Sequence, residues 1–142
     1  MKYKYTSIKE LEIQFSYAPR KRKNTFLKNI RSLIPEIEDN NEYPADYLIY
    51  RLTGFRPDTV SAEVYEGQNL MTDLLQLLRD LSLKTKMHSS ETSCKIFPVN
   101  DICEDLNISK KTFYRWAKKY YLPVEYFYCK SKKRPCLCLR KP

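Results

Sequence analysis

Phe97-Pro-Val-Asn-Asp-Ile-Cys-Glu-Asp-Leu-Asn-Ile-Ser-Lys-Lys-Thr-Phe-Tyr-Arg-Trp-Ala-Lys-Lys-Tyr120 is the stretch whose reading decides the fold. Val99, Ile102, Cys103 and Leu106 recur at spacings of three and four, which predicts a short amphipathic helix with its apolar side chains aimed one way. Asn107 follows at once, and Asn tolerates a positive φ, so it can take the left-handed turn that glycine usually supplies. Ile108 then plugs the turn into the core. Ser109 can accept the orphan amides of the next helix as N-cap. That helix, residues 110–120, places Phe113, Trp116 and Ala117 on one face and Lys110, Lys111, Tyr114, Arg115 and Lys118 on the other. Leu122-Pro123 ends it, since proline cannot continue a helix.

Beyond the proline, Val124-Glu-Tyr-Phe-Tyr-Cys129 and Cys136-Leu-Cys-Leu-Arg140 flank Lys130-Ser-Lys-Lys-Arg-Pro135. Aromatic and β-favouring residues on either side of a polar, basic loop predict a β-hairpin with a positive tip. Two helices joined by a tight turn, the second basic on its open side, form a helix-turn-helix pattern, and a hairpin behind it is a wing.

The charge points the same way. The chain has 142 residues and a formal net charge of +9. Residues 1–90 carry 14 Lys/Arg against 12 Asp/Glu, whereas residues 91–142 carry 12 against 5. From Lys110 onward, 11 basic residues face a single acid, Glu125. Such an excess in a compact segment attracts a polyanion. Charge alone attracts without reading sequence, and an isolated Lys-rich run is more often a solvated surface.

Outward from this segment, Lys84–Ser93 is polar and reads as a linker. Before it, Asn24 is a plausible N-cap for a helix over 25–33 that presents Phe26, Ile30, Leu33 and Ile34 before Pro35 intervenes. Pro44 can start a second helix, with Tyr47, Leu48, Ile49, Tyr50 and Leu52 supplying its buried side, and Gly54 can end it. A third helix from about Gln68 to Leu83 carries Leu70, Leu74, Leu77, Leu78 and Leu81 at helical spacing, either as core or as a dimer seam. Arg20-Lys-Arg-Lys23 is a basic run open to three readings: an arm on DNA phosphates, a nuclear-import signal or a solvated surface. The acidic residues Glu36, Glu38, Asp39, Glu42 and Asp46 can dock a basic partner or form a solvated loop.

Several chemistries are disfavoured. The longest apolar runs fall far short of the roughly 20 residues of a membrane helix, and the N-terminus has no apolar signal-peptide core. Two glycines argue against Gly-rich phosphate loops, and one histidine, His88, leaves little for acid–base or metal chemistry. Five cysteines, Cys94, Cys103, Cys129, Cys136 and Cys138, suit reduced thiols better than disulfides. The spacing of Cys129, Cys136 and Cys138 lacks a zinc knuckle, and alternate strand positions explain them as buried. The linker serines Ser89 and Ser90 are no activated nucleophile. Tyr120, Tyr121, Tyr126 and Tyr128 read as core or wing packing, and Trp116 as core. No enzyme, cofactor or metal is expected.

With these residues on the page, Ser109-x-x-Thr112-x-Tyr114-Arg115-Trp116-x-Lys118 followed by Leu122-Pro123 resembles the MerR/excisionase-type winged helix-turn-helix. More narrowly, Phe97 to Arg140 is similar to the N-terminal helix-turn-helix extension of some sigma-70 family factors, notably from planctomycete-like bacteria. There it follows a segment like Tyr43-Pro-Ala-Asp-Tyr-Leu-Ile-Tyr-Arg-Leu-Thr-Gly-Phe-Arg-Pro57. Pro98 departs from the pattern, standing where that family often has a Ser or Thr cap. No segment resembles the promoter-melting or −35-reading regions, so the kinship implies a stand-alone relative or a fragment that does not act as a sigma factor by itself.

The expectation is therefore a mainly α chain: an N-terminal helical domain (1–83) for interaction or dimerisation, a linker (84–93), and a winged helix-turn-helix (94–142). It would act as a sequence-specific transcription regulator in the cytoplasm, associated with the nucleoid and with no membrane contact. Helix 110–120 would enter the major groove of double-stranded DNA and the wing 124–140 would lie on the backbone. Its contacts would be Ser109, Lys110, Lys111, Thr112, Tyr114, Arg115, Lys118 and Lys119, with Lys130, Lys132, Lys133 and Arg134 from the wing. The first region would meet a second copy, RNA polymerase or another regulator. Two rival functions are an excisionase-like architectural protein of a mobile element and a protein-binding adaptor of the transcription machinery.

Overall fold

The computed structural model of the chain describes residues 3–58, 61–85, 87–88, 95–129 and 132–139. Within these the protein is mainly helical, with two small antiparallel sheets. Helices α1 (Thr6–Ser16), α2 (Arg20–Leu33), α3 (Ala45–Thr53) and α4 (Gly67–Leu83) enclose one core. A two-stranded ribbon, β1 (Glu42–Pro44) with β2 (Val64–Glu66), leads into α3 and α4.

α4 lies at the centre because its apolar stripe is wide: Leu70, Leu74, Leu77, Leu78 and Leu81 are all fully buried. The stripe is spent on packing within the chain, which leaves none of it as a dimer seam. α1 was not anticipated. It packs Ile8, Leu11 and the half-buried Phe15 at spacings of three and four, and Phe15 stacks on Phe26 of α2 at 3.8 Å. Asp73 of α4 holds the start of α1 in place by accepting from the amides of Lys4 and Tyr5, each at 2.8 Å. Burial pushes the Asp73 carboxyl up, opposed by those two amides.

Other boundaries shift for identifiable reasons. α2 begins at Arg20 rather than beyond Asn24, because Pro19 ends the preceding turn and stands as its N-cap. Arg20–Lys23 is thus the first turn of a helix. α3 buries Ala45, Leu48 and Leu52, but Tyr47 and Tyr50 are exposed. A nine-residue helix has one buried stripe, and these two rings lie beside it under the guanidinium groups of Arg51 and Arg56. Gly54 ends α3 at φ 81°, as expected.

Gly67 is required by space. A Cβ there would stand 1.9 Å from the Glu38 carbonyl oxygen, and its own amide donates to Asn41 O at 2.8 Å. The start of α4 and the 38–41 turn are therefore pressed backbone to backbone.

The second sheet has the order β3 (Lys95–Pro98), β5 (Lys132–Leu139), β4 (Val124–Cys129). Its hairpin register, Val124↔Leu137 to Cys129↔Lys132, leaves only residues 130 and 131 between the strands. Lys132, Lys133 and Arg134 belong to β5 and not to a long loop. Pro135 fits in β5 because β3 pairing stops at Pro98↔Cys136. Thr85 and Met87, inside the expected linker, are buried, and Met87 packs with Phe127 and Cys136. Among the described residues no helix is long and apolar enough to cross a membrane.

Candidate nucleic-acid interface

Helices α5 (Val99–Leu106) and α6 (Lys110–Lys119) meet through a three-residue turn whose geometry follows from its sequence. Asn107 takes φ 53°, ψ 48°, so the amide of Ile108 reaches back to Cys103 O at 3.0 Å and that of Asn107 to Glu104 O at 3.2 Å. These bonds close the helix end in a Schellman arrangement. Ser109 starts α6 by accepting from the Thr112 amide at 3.1 Å, and its hydroxyl also donates to Thr112 Oγ1 at 3.0 Å. At the far end Tyr121, at φ 55°, repeats the device, with Leu122 N bonded to Ala117 O at 2.9 Å. The pair sits on a small core of Val99, Cys103, Phe113, Ala117 and Val124.

This packing leaves Lys110, Lys111, Arg115, Lys118 and Lys119 exposed on α6. None makes an ion pair with a carboxylate among the described residues. α5 presents the opposite sign, with Asp101, Glu104 and Asp105 all exposed. The positive surface therefore belongs to α6 and β5.

Some expected side chains lie elsewhere. Trp116 is 38 % exposed, not core. On a helix it lies about 60° to one side of Phe113, whereas Ala117 lies about 40° to the other. The buried arc follows Ala117 toward α4, so Trp116 joins the open face beside Arg115. Leu106, expected on the apolar side of α5, is exposed and takes no part in the small core beneath the pair. Tyr120 is exposed, with Lys119 over its ring.

Tyr114 turns inward. Its ring packs edge-on against Phe113 and lies 4.7 Å beneath the Arg79 guanidinium of α4. Burial pushes its hydroxyl up, with Arg79 opposing. Tyr114 thus stands at the seam between α4 and α6 and is not on the open face. A hollow of about 230 Å³ runs along that seam, bounded by Leu75, Gln76, Arg79, Tyr114, Lys118 and Tyr121 among others.

In the hairpin, Lys132 and Arg134 are exposed, but Lys133 is engaged. Its ammonium donates to Leu83 O and to Thr85 O, the latter at 3.2 Å. A cation at the carbonyl end of α4 is well placed for the helix dipole, so Lys133 fastens the hairpin down. Lys130 lies outside the described residues, as does Cys94. Cys103 and Cys136 are buried in separate apolar clusters.

The hairpin is further tied by a buried ion pair that the sequence pattern did not reveal. Glu125 of β4 is 1 % exposed and takes the Arg31 guanidinium side-on, with Nε at 2.7 Å from Oε2 and Nη2 at 2.6 Å from Oε1. Tyr126 N donates to Ser82 Oγ and Tyr128 N to Met87 O, each at 2.9 Å. β4 is thereby covered by α4 and by residues 87–88, where His88 bridges to Tyr128. On the hairpin, Lys132 and Arg134 of β5 keep their side chains outward.

Comparison with protein-family models, curated proteins and solved structures gives no match for this chain.

Proposed function

We propose that the C-terminal unit is a winged helix-turn-helix of the MerR/excisionase type and that the chain is a sequence-specific double-stranded DNA-binding protein of transcription control. One observation carries this reading. α6 is capped and packed on one edge, while five cations that have no carboxylate partner among the described residues stand on its open side. A helix of about 10–12 Å diameter fits the major groove. The capped end of α6 favours a phosphate, since its amides and dipole both point there.

Arg115, near the middle of the helix, is placed for bidentate donation to a guanine edge. Lys110, Lys111, Lys118 and Lys119 supply phosphate contacts, with Lys132 and Arg134 on the adjoining backbone. Trp116 adds an apolar surface next to Arg115 that can lie against a thymine methyl. Tyr114 and Lys133 are positioning residues in this scheme, holding α6 and the hairpin against α4. The chemistry is binding, not catalysis, and such a protein works at the nucleoid. A single module reads few base pairs, so useful specificity calls for a second copy or a partner.

Selection of bound sites from a random duplex pool by the full chain tests the proposal. A recurrent motif supports it. Recovery of unselected sequence, with affinity set only by salt, refutes sequence reading. Bending of selected sites without any effect on transcription would favour the architectural alternative.

A further inference from the structure

The basic run Arg20–Lys23 has no role in the interface above. It opens α2 beside a cleft of about 490 Å³ floored by Leu11, Phe15 and Ile49 and rimmed by Phe55, Arg22 and Arg56. A second hollow of about 270 Å³ adjoins it, shares Phe15, Arg22 and Phe55, and adds Lys21. Among the described residues, no carboxylate lines either hollow. Phe55 is 65 % exposed and Tyr50 44 %. The cations already lie on these rings, with Arg22 5.9 Å from the Phe55 centroid and Arg56 5.7 Å from that of Tyr50.

We propose that this cleft docks an acidic amphipathic peptide segment of a partner protein, its apolar side chains in the Leu11–Phe15–Ile49 floor and its carboxylates on Arg22, Arg56 and Lys21. Charge complementarity identifies the occupant. An apolar floor demands apolar anchors, and a rim of cations without acids demands negative charge around them. A helix laid in a groove presents that combination, with anchors at spacings of three and four. Guanidinium forks hold carboxylates in pairs while their planes stay on the aromatic rings. A polyphosphate chain satisfies the rim but leaves the floor empty. The inference stands on the N-terminal helices alone and does not require the DNA reading.

The test is panning a phage-displayed library of random dodecamer peptides on the full chain, followed by fluorescence anisotropy with the labelled consensus peptide. Selected peptides should combine several Asp or Glu with two or more Leu, Ile, Phe or Trp. Their affinity should fall by about tenfold or more in an Arg22→Glu, Arg56→Glu double variant and again in Phe55→Ser. All three positions are exposed, and far-UV circular dichroism confirms folding. Duplex binding measured on the same variants should persist, which separates this proposal from the preceding one. Recovery of no consensus, or of peptides indifferent to these substitutions, overturns it. So does a labelled single-stranded oligonucleotide that displaces the peptide and depends on the same two arginines.

Discussion

Replacing Glu125 by Ala should be among the most damaging single changes in this protein. The carboxylate is 1 % exposed, and the substitution removes its close contacts with Arg31 at 2.6, 2.7 and 2.9 Å. The guanidinium side chain is itself only 11 % exposed. Breaking a buried pair by deleting one partner costs about 3–5 kcal/mol, because the remaining charge stays out of water. A chain of this size has a total stability of about 5–15 kcal/mol, so that loss is a large fraction. Removing both charges together, as Arg31→Met with Glu125→Leu, should return the protein to within about 1–2 kcal/mol of the parent. Urea titrations followed by far-UV circular dichroism and by fluorescence give the cycle. The single tryptophan, Trp116, sits on α6 and reports the C-terminal unit. In Glu125→Ala its transition should precede the loss of helix. A single-variant cost below about 1 kcal/mol, or two single costs that merely add, would refute the reasoning.

Gly67→Ala should cost about 2–4 kcal/mol in the same titration, since the new methyl meets the Glu38 carbonyl at 1.9 Å. Gly54→Ala, with open space around a φ of 81°, should cost about 1 kcal/mol. For Glu12, burial alone would raise the carboxyl, but Lys84 at 2.6 Å and Lys9 at 3.3 Å outweigh it and hold it below its ordinary 4.5. Its contribution is therefore complete above about pH 4.5 and lost as pH falls through the lower folded value. Glu12→Gln should be the less stable protein at pH 7, and the gap should shrink as pH falls below 4.5; a gap constant with pH contradicts the linkage. Lys132→Ala should lower the salt slope of duplex binding by about one unit, whereas Lys133→Ala should leave the slope and lower the melting temperature.

The turn between α5 and α6 was legible because its chemistry is local. Asn107 can adopt a left-handed conformation and Ser109 can cap, and neither needs a neighbour to do so. The leucines of α4 were legible for a similar reason, as five of them on one stripe leave no other face to bury. α1 carried a readable signal in Ile8, Leu11 and Phe15, but it is short and interrupted by Glu12, whose burial depends on Lys84 at the other end of the helical unit. Trp116 and Tyr114 were exchanged because helical spacing gives an arc of about 100° without saying which edge a neighbouring helix covers. α4 covers the Tyr114 edge. Lys133 and Glu125 could not be assigned from sequence at all, since their partners Leu83, Thr85 and Arg31 are distant in the chain and meet them only after the hairpin docks.

The central claim is that the open face of α6 reads base edges. Competition binding of Arg115→Ala to a selected duplex and to a random duplex of equal length, at one fixed salt concentration, tests it most directly. The claim predicts a loss of about 1–3 kcal/mol on the selected site with the random duplex nearly unaffected. An equal loss on both duplexes would contradict it and reduce Arg115 to a phosphate contact.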